Sequence, residues 1–271
     1  MIKIEDLHVG NYENVTNDDC PSFSGIVAGE CKGNLWVDDI VNPKIVIADS
    51  YAAGSFAFLG DINNEDEYIK LNNYVKNSLF DFLKQKGIDY FEYSVESDSL
   101  KPYVQRMFED RIIENEKEYS FRKFDQITSN YLLPDNLIIQ KVDFDLWEKV
   151  RNGGFKNESF LSERLLESWG NFESFEENSV GFCITYLDSI VAVIIGTARF
   201  KNVIPIDIET IDEFRHKGLG YSLTTEFVNE CIRRNLIAQW DCVESNPISR
   251  KLAEKAGFKL FRENDVFWFQ I

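Results

Sequence analysis

Positive charge is scarce in this sequence: 29 Lys and Arg stand against 46 Asp and Glu, a formal net charge of −17 over 271 residues. A nucleic-acid binder needs a basic face to release counterions from phosphates, so this balance argues against that role, and an acidic membrane surface would repel the chain as well. Histidine is nearly absent, with His8 and His216 the two present, so neither a triad nor a histidine metal site is signalled and no metal is expected. The five cysteines, Cys20, Cys31, Cys183, Cys231 and Cys242, are odd in number, irregular in spacing and lack a C-x-x-C pair. They read as reduced thiols rather than as a disulfide framework or zinc site. Nothing approaches the roughly 18 uncharged apolar residues of a membrane span, and Met1 to Asp6 lacks the apolar core of a leader. No short repeat, low-complexity tract or Gly/Ser linker stands out. A cytoplasmic protein is expected, with neither nucleic acid nor membrane as partner.

What the chain does have is 44% apolar, 14% aromatic and 28% charged residues, the composition of a globular protein. Its length suggests one or two domains. A seam at Asn130 to Asp135, where Pro134 discourages a continuous helix or central strand, divides it into residues 1–130 and 131–271. In the first part Leu71, Val75 and Leu79 recur at helical spacing and Gly87 follows as a stop. Ile45 to Ile47, Phe56 to Leu59 and Tyr90 to Tyr93 read as strands. In the second part a strand at Leu137 to Ile139 precedes a helix near Leu161 to Trp169. Strands over 182–187 and 190–200 follow, with a hairpin turn at Asp188-Ser189. A strand near Val203 to Thr210, then helix, strand, helix and a last strand pair ending at Ile271 complete the order. The whole reads as α/β (α+β), a mixed sheet covered by helices.

The chemistry concentrates between Ile204 and Phe258. Ile204, Ile206 and Ile208 alternate with Pro205, Asp207 and Glu209, so a strand here turns isoleucines to one face and two carboxylates, about 6.6 Å apart, to the other. Arg215-His216-Lys217-Gly218-Leu219-Gly220 then enters a helix with core face Leu219, Leu223, Phe227, Val228, Cys231 and Ile232. Small residues at a helix start let unpaired N–H groups and the helix dipole approach an anion, and a pyrophosphate would fit. The G-x-x-x-x-G-K-[ST] loop is absent, and the third glycine of G-x-G-x-x-G is replaced by Leu223, which weakens a dinucleotide-dependent oxidoreductase. A lone Gly-Leu-Gly is also compatible with a plain turn. Downstream, Ala238, Trp240 and Cys242 alternate as a strand, Asn246-Pro247 opens a helix with apolar face Ile248, Leu252 and Ala256, and Gly257 closes it.

These residues resemble the GCN5-related N-acetyltransferases (GNATs). Arg215 to Gly220 matches the family's R/Q-x-x-G-x-G/A loop, and the run Trp240 to Asn246 with Ser249, Leu252 and Gly257-Phe258 is similar to its second motif. The chain further resembles a subgroup similar to zwittermicin-resistance acetyltransferases, in Trp36 to Asp39, Asn42-Pro43, Ile208 to Thr210 and Leu252 to Lys255. The resemblance implies a C-terminal GNAT domain with a mixed, mostly antiparallel sheet flanked by helices, preceded by a smaller diverged GNAT-like domain. No R-x-x-G-x-G occurs in the first 130 residues, so one acetyl-CoA site per chain is expected, in a monomer or homodimer.

The resemblance assigns acetyl-CoA contacts to Ile208 and Thr210 on the strand, to Arg215, His216, Lys217, Gly218, Leu219 and Gly220 in the loop, and to Asn246 and Ser249 on the next helix. The strand bearing Asp241 should splay away and open a cleft for the thioester. The acceptor amine must be neutral to attack; for a pKa near 10.4 only about one molecule in 2,500 is so at pH 7, which calls for a general base. Glu209 and Asp207 are the first candidates and Asp241 the third, although a solvated or structural role fits each. The family's acid, a tyrosine after the leucine equivalent to Leu252, is here Ala253. Trp240 reads as packing or cleft lining, and Cys183 and Cys242 as small core residues. The expected reaction is acetylation of a primary amine on a small, cationic acceptor, possible antibiotics among them. The alternative is a silent CoA- or acyl-CoA-binding module.

Overall fold

The computed structural model describes residues 1–6, 12–128 and 133–271; His8 and part of the expected seam, Asn130 included, lie outside the described residues. The chain divides into two compact units, Met1–Glu118 with Glu263–Ile271, and Tyr119–Arg262.

The first unit carries a sheet of strands β1 (Ile2–Ile4), β2 (Asn34–Val37), β3 (Ile45–Ser50), β4 (Ser55–Gly60), β5 (Tyr90–Val95) and the C-terminal part of β12 (Lys259–Gln270), in that order. All neighbours are antiparallel except β4 and β5. Period-two alternation decides which side chain goes where. Ile45, Ile47, Phe56 and Phe58 join one buried cluster, while Val46, Ala48, Ala57 and Leu59 join the other. The second cluster is covered by α1 (Pro21–Val27). The first is covered by α2 (Glu65–Asn73), a π-helical stretch (Tyr74–Leu79), α3 (Phe80–Gln85) and α4 (Lys101–Met107). Asn64 caps α2 by accepting the Glu67 N–H at 3.0 Å, with three acidic residues in the first turn. Gly87, at φ 75°, ends the helical run as its position suggested.

The second unit carries β7 (Leu137–Lys141), β8 (Gly181–Tyr186), β9 (Ser189–Gly196), β10 (Val203–Thr210) and β11 (Ile237–Val243). Pairings are antiparallel from β7 to β10 and parallel between β10 and β11. Helices α5 (Phe144–Arg151), α6 (Ser159–Trp169), α7 (Phe172–Asn178), α8 (Leu219–Arg233) and α9 (Pro247–Lys255) flank it, and β6 (Glu114–Lys123) precedes it. The core on the α8 face combines Phe182, Ile184, Ile194 and Ile204 with Leu223, Phe227 and Trp240.

Three local expectations change. The hairpin turn is Leu187-Asp188, with Leu187 at φ 53°, and Ser189 already pairs with Tyr186. Strand β9 stops at Gly196 rather than Phe200, because the chain reverses over 197–202: Thr197 N–H bonds Pro205 O at 3.0 Å and Phe200 bridges Val203. The expected last strand pair is the single strand β12. Its polar middle finds partners instead of turning, with Asn264 donating to Glu96 at 3.2 Å and Asp265 pairing with Lys117 at 2.6 Å.

Candidate active site

The site starts from a break in the sheet. Strands β10 and β11 are in register at Val203 with Ile237, Ile204 with Ala238 and Pro205 with Gln239, and their pairing goes no further although both strands continue. Pro205 turns its backbone toward β9, its carbonyl accepting the Thr197 N–H at 3.0 Å. Beyond it, β10 keeps β9 as partner through Thr210 with Ala192, and Ile211 N–H bonds Val191 O at 3.0 Å. Backbone groups alternate sides along a strand, so Asp207 and Glu209 aim theirs at β9, whereas Ile206, Ile208 and Thr210 aim theirs into the gap.

At the end of that gap sits the glycine loop. His216 and Gly218 have left-handed backbones, φ 61° and 73°, and Gly218 is the N-cap of α8 with no side-chain cap. Ser222 N–H is the first to bond back, to Gly218 O at 3.1 Å, so the N–H groups of Leu219, Gly220 and Tyr221 precede the intrahelical ladder at the positive end of the helix dipole. A Cβ on Gly220 would lie 3.0 Å from Leu252 Cδ2 and 3.8 Å from Ile208 Cδ1; glycine lets α8, α9 and β10 converge here.

Opposite, α9 is capped by Asn246, whose side chain accepts the Ser249 N–H at 3.1 Å. Ser249 Oγ in turn accepts the indole N–H of Trp240 at 2.8 Å. Trp240, 2% exposed, packs edge-on against Phe258 and also lines the gap, so its packing and lining roles coincide. Together these elements enclose a cleft of about 630 Å³. Ile208, Thr210, Arg215, His216, Gly218, Leu219, Gly220, Asn246 and Ser249 line it, and so does Glu209. Lys217 does not: its Nζ donates to Glu213 O at 3.0 Å and lies 4.4 Å from the Phe214 ring centroid. Arg215 is held by Thr210 O at 3.1 Å and by Asp212 at 2.9 Å.

The three carboxylates fall into two groups. Asp207 and Glu209 share a face as alternation requires, and both meet Arg164 of α6: Arg164 Nη2 bonds Glu209 Oε2, and its Nε lies 3.0 Å from Asp207 Oδ2 without hydrogen-bond alignment. Asp241, on β11, accepts from Gln239 Nε2 at 3.1 and 3.2 Å. Burial pushes its carboxyl above the ordinary range, partly offset by hydrogen bonds from Ser120 and Gln239 and by the charges of Arg262 and Arg122. Asp207 and Asp241 do not line the cleft.

Residues 15–267 match the GNAT acetyltransferase family. The chain belongs to that family. YdfB, an uncharacterized N-acetyltransferase of Bacillus subtilis strain 168, is 25% identical over 253 residues, covering 92% of this chain and 90% of its own. A GCN5-related N-acetyltransferase-like protein from Streptococcus suis shares the fold with a TM-score of 0.60 at 20% identity, over 88% of both chains. A tandem GNAT protein from the clavulanic acid biosynthesis pathway does so at 0.55 and 10% identity, over 91% of this chain and 86% of its own. The protein is an N-acetyltransferase of the GNAT type, a family that generally uses acetyl-CoA and no metal.

In this GNAT protein Ala253 is fully buried. Sequence reasoning missed several cleft residues, namely Phe214, Tyr221, Ile248, Leu252 and Lys255, with Lys255 Nζ 5.0 Å from the Tyr221 ring centroid. From sequence Ile248 reads as a helix face, Leu252 as a helix face and second-motif residue, and Tyr221 carries no signal beyond following the loop. Burial pushes the Cys183 and Cys231 thiols up to about 12, so both stay protonated as small apolar residues. Among the described residues no group of three or more His, Cys, Asp or Glu side chains could hold a metal, and no helix is long and apolar enough to cross a membrane.

Proposed function

We propose that this N-acetyltransferase moves the acetyl group of acetyl-CoA to the primary amine of a small, cationic acceptor, with one such site per chain in the part spanning residues 131–271. The observation that carries the reading is the parting of β10 from β11 beside a helix N-terminus whose glycines leave a cradle. That cradle fits the cofactor: the N–H groups opening α8 suit a pyrophosphate, and the inward backbone groups of Ile208 with the Thr210 N–H suit an amide-bearing arm. When bound, acetyl-CoA supplies an activated thioester carbonyl. Glu209, which lines the cleft, is the group proposed to take the amine's proton. With Ala253 buried, Tyr221 and Lys255 of the cleft lining and solvent are candidate proton donors for the departing thiolate, whose free pKa near 8.5 makes the demand modest. The net charge of −17 supports a cationic acceptor through electrostatic steering.

Likeness to the zwittermicin-resistance subgroup supports amino-polyol antibiotics as acceptors to try, in a cytoplasmic protein whose first 130 residues form a diverged GNAT-like domain. The deciding experiment mixes the protein with acetyl-CoA and a panel of polyamines, aminoglycosides and amino-polyol antibiotics and follows free thiol. Acetylation of one of them is expected. CoA binding without turnover on any amine would favour a silent binding module, and absence of CoA binding would overturn both readings.

A further inference from the structure

Two carboxylates two residues apart on an exposed strand face would normally be solvated and rotationally free. Here a single side chain from another element engages both. Arg164 is fixed on α6 by its own surroundings: Nη1 donates to Phe160 O at 3.3 Å and the guanidinium lies 4.9 Å from the Phe160 ring centroid. From that anchor Nη2 bonds Glu209 Oε2, while Nε sits 3.0 Å from Asp207 Oδ2. The strand neighbours on this face, Val193 and Ile195, are apolar and fully buried. The arrangement is asymmetric. Glu209 lines the cleft and Asp207 does not, and Arg164 itself stays outside it.

From this we infer that Arg164 is a positioning residue for the acetyl transfer: it holds Glu209 by one carboxylate oxygen, leaving Oε1 to face the acceptor, and Asp207 is its counter-anchor rather than a second base. The inference rests on the proposed reading of Glu209 as the base. A glutamate tethered at one oxygen surrenders rotamers that a free one would populate, so productive geometry is present before the amine arrives. Because Arg164 touches neither the cleft nor its contents, its removal should act on kcat and leave both KM values unchanged.

The test measures thiol release from acetyl-CoA with whichever amine of the panel turns over fastest, and folding by thermal melt. Glu209→Gln should lose at least about 100-fold in kcat. Arg164→Gln should lose about tenfold in kcat with KM for amine and acetyl-CoA within about twofold. Arg164→Lys should recover part of that loss. Asp207→Asn should cost a few-fold alone and nothing further in the Arg164→Gln background. Full activity in Glu209→Gln, or no amine turned over by the wild type, overturns the reading of the base and this inference with it. Loss in Glu209→Gln together with wild-type kcat in Arg164→Gln overturns the inference alone, as does an effect confined to KM. Should Arg164→Gln fail to fold, Asp207→Asn and Arg164→Lys decide: wild-type kcat in both refutes the positioning role, and a graded loss at unchanged KM supports it.

Discussion

Gly218 and Gly220 stand two residues apart in one loop, yet the structure gives them different work, and substitution should separate the two. Gly218 has φ 73°, where an L-residue with a Cβ loses roughly 1–2 kcal/mol and asparagine loses less. For a compact unit of roughly 150 residues that corresponds to a fall in Tm of about 2–8 °C for Gly218→Ala, and a smaller fall for Gly218→Asn. Gly220 lies in α8, where alanine is preferred to glycine by up to about 1 kcal/mol. Its added Cβ would meet only the end of the Leu252 side chain at 3.0 Å and Ile208 at 3.8 Å, so the fold should tolerate it. The branches of Gly220→Val, however, would press on the cleft wall formed by those two residues. Strain of about 1–3 kcal/mol that the free protein relieves by moving this wall into the cleft, and that CoA binding must restore, lowers CoA affinity by about 5- to 150-fold. Titration calorimetry with CoA, paired with ligand-free melting curves, reads both quantities. A Gly220→Val protein that binds CoA like the wild type would refute the placement of the cofactor against this loop. One that melts far below the wild type would show that the glycine serves packing instead.

Other expectations follow from the same geometry. The bond from Trp240 to Ser249 should appear as a coupling of about 1 kcal/mol in a double-mutant cycle of Trp240→Phe and Ser249→Ala, measured by urea unfolding; a coupling near zero would mean that the bond contributes nothing. Asp241 has a folded pKa raised by burial, so the native state binds more protons than the unfolded chain. Its contribution to stability is complete below the unfolded value of about 3.9 and is lost as pH rises through the raised folded value. Asp241→Asn should therefore gain on the wild type between pH 4 and pH 7 in thermal melts, and a pH-independent difference would refute the assignment. Cys183 and Cys231, with thiols near 12, should resist iodoacetamide at pH 8 in the native protein and react once unfolded, as followed by mass spectrometry.

Local pattern revealed much of the second unit. The isoleucine alternation of β10 and the apolar face of α8 are complete within their own segments, and the structure places both where the periodicity does. Helices α5 and α7 escaped because eight and seven residues are too few for a periodic stripe. Their only local signals are the caps Asp143 and Asn171, each accepting an N–H three residues on. Strand β6 is dense in charge, and its role emerges through long-range partners, among them Arg122 donating to Gln239 at 3.0 Å. The partner of Glu209 is least accessible: Arg164 lies 45 residues earlier, on a helix whose arginine reads from sequence alone as ordinary solvated charge.

The cleft itself depends on a conflict within one pair of strands. Parallel β10 and β11 would gain further backbone hydrogen bonds by staying together, each worth about 1 kcal/mol net. One feature opposes this: Trp240, one residue beyond Gln239, is committed to Phe258 and to Ser249 of α9. A buried tryptophan contributes more than one ladder bond, by its area alone, so β11 follows Trp240 toward α9 while β10 follows β9. The backbone groups of Ile208 are thereby turned to a wall whose other side is the start of α8, where Arg215 holds the Thr210 carbonyl. The same residue that holds the second motif together is thus a cause of the gap between the strands, which is why a packing role and a lining role for Trp240 are one role.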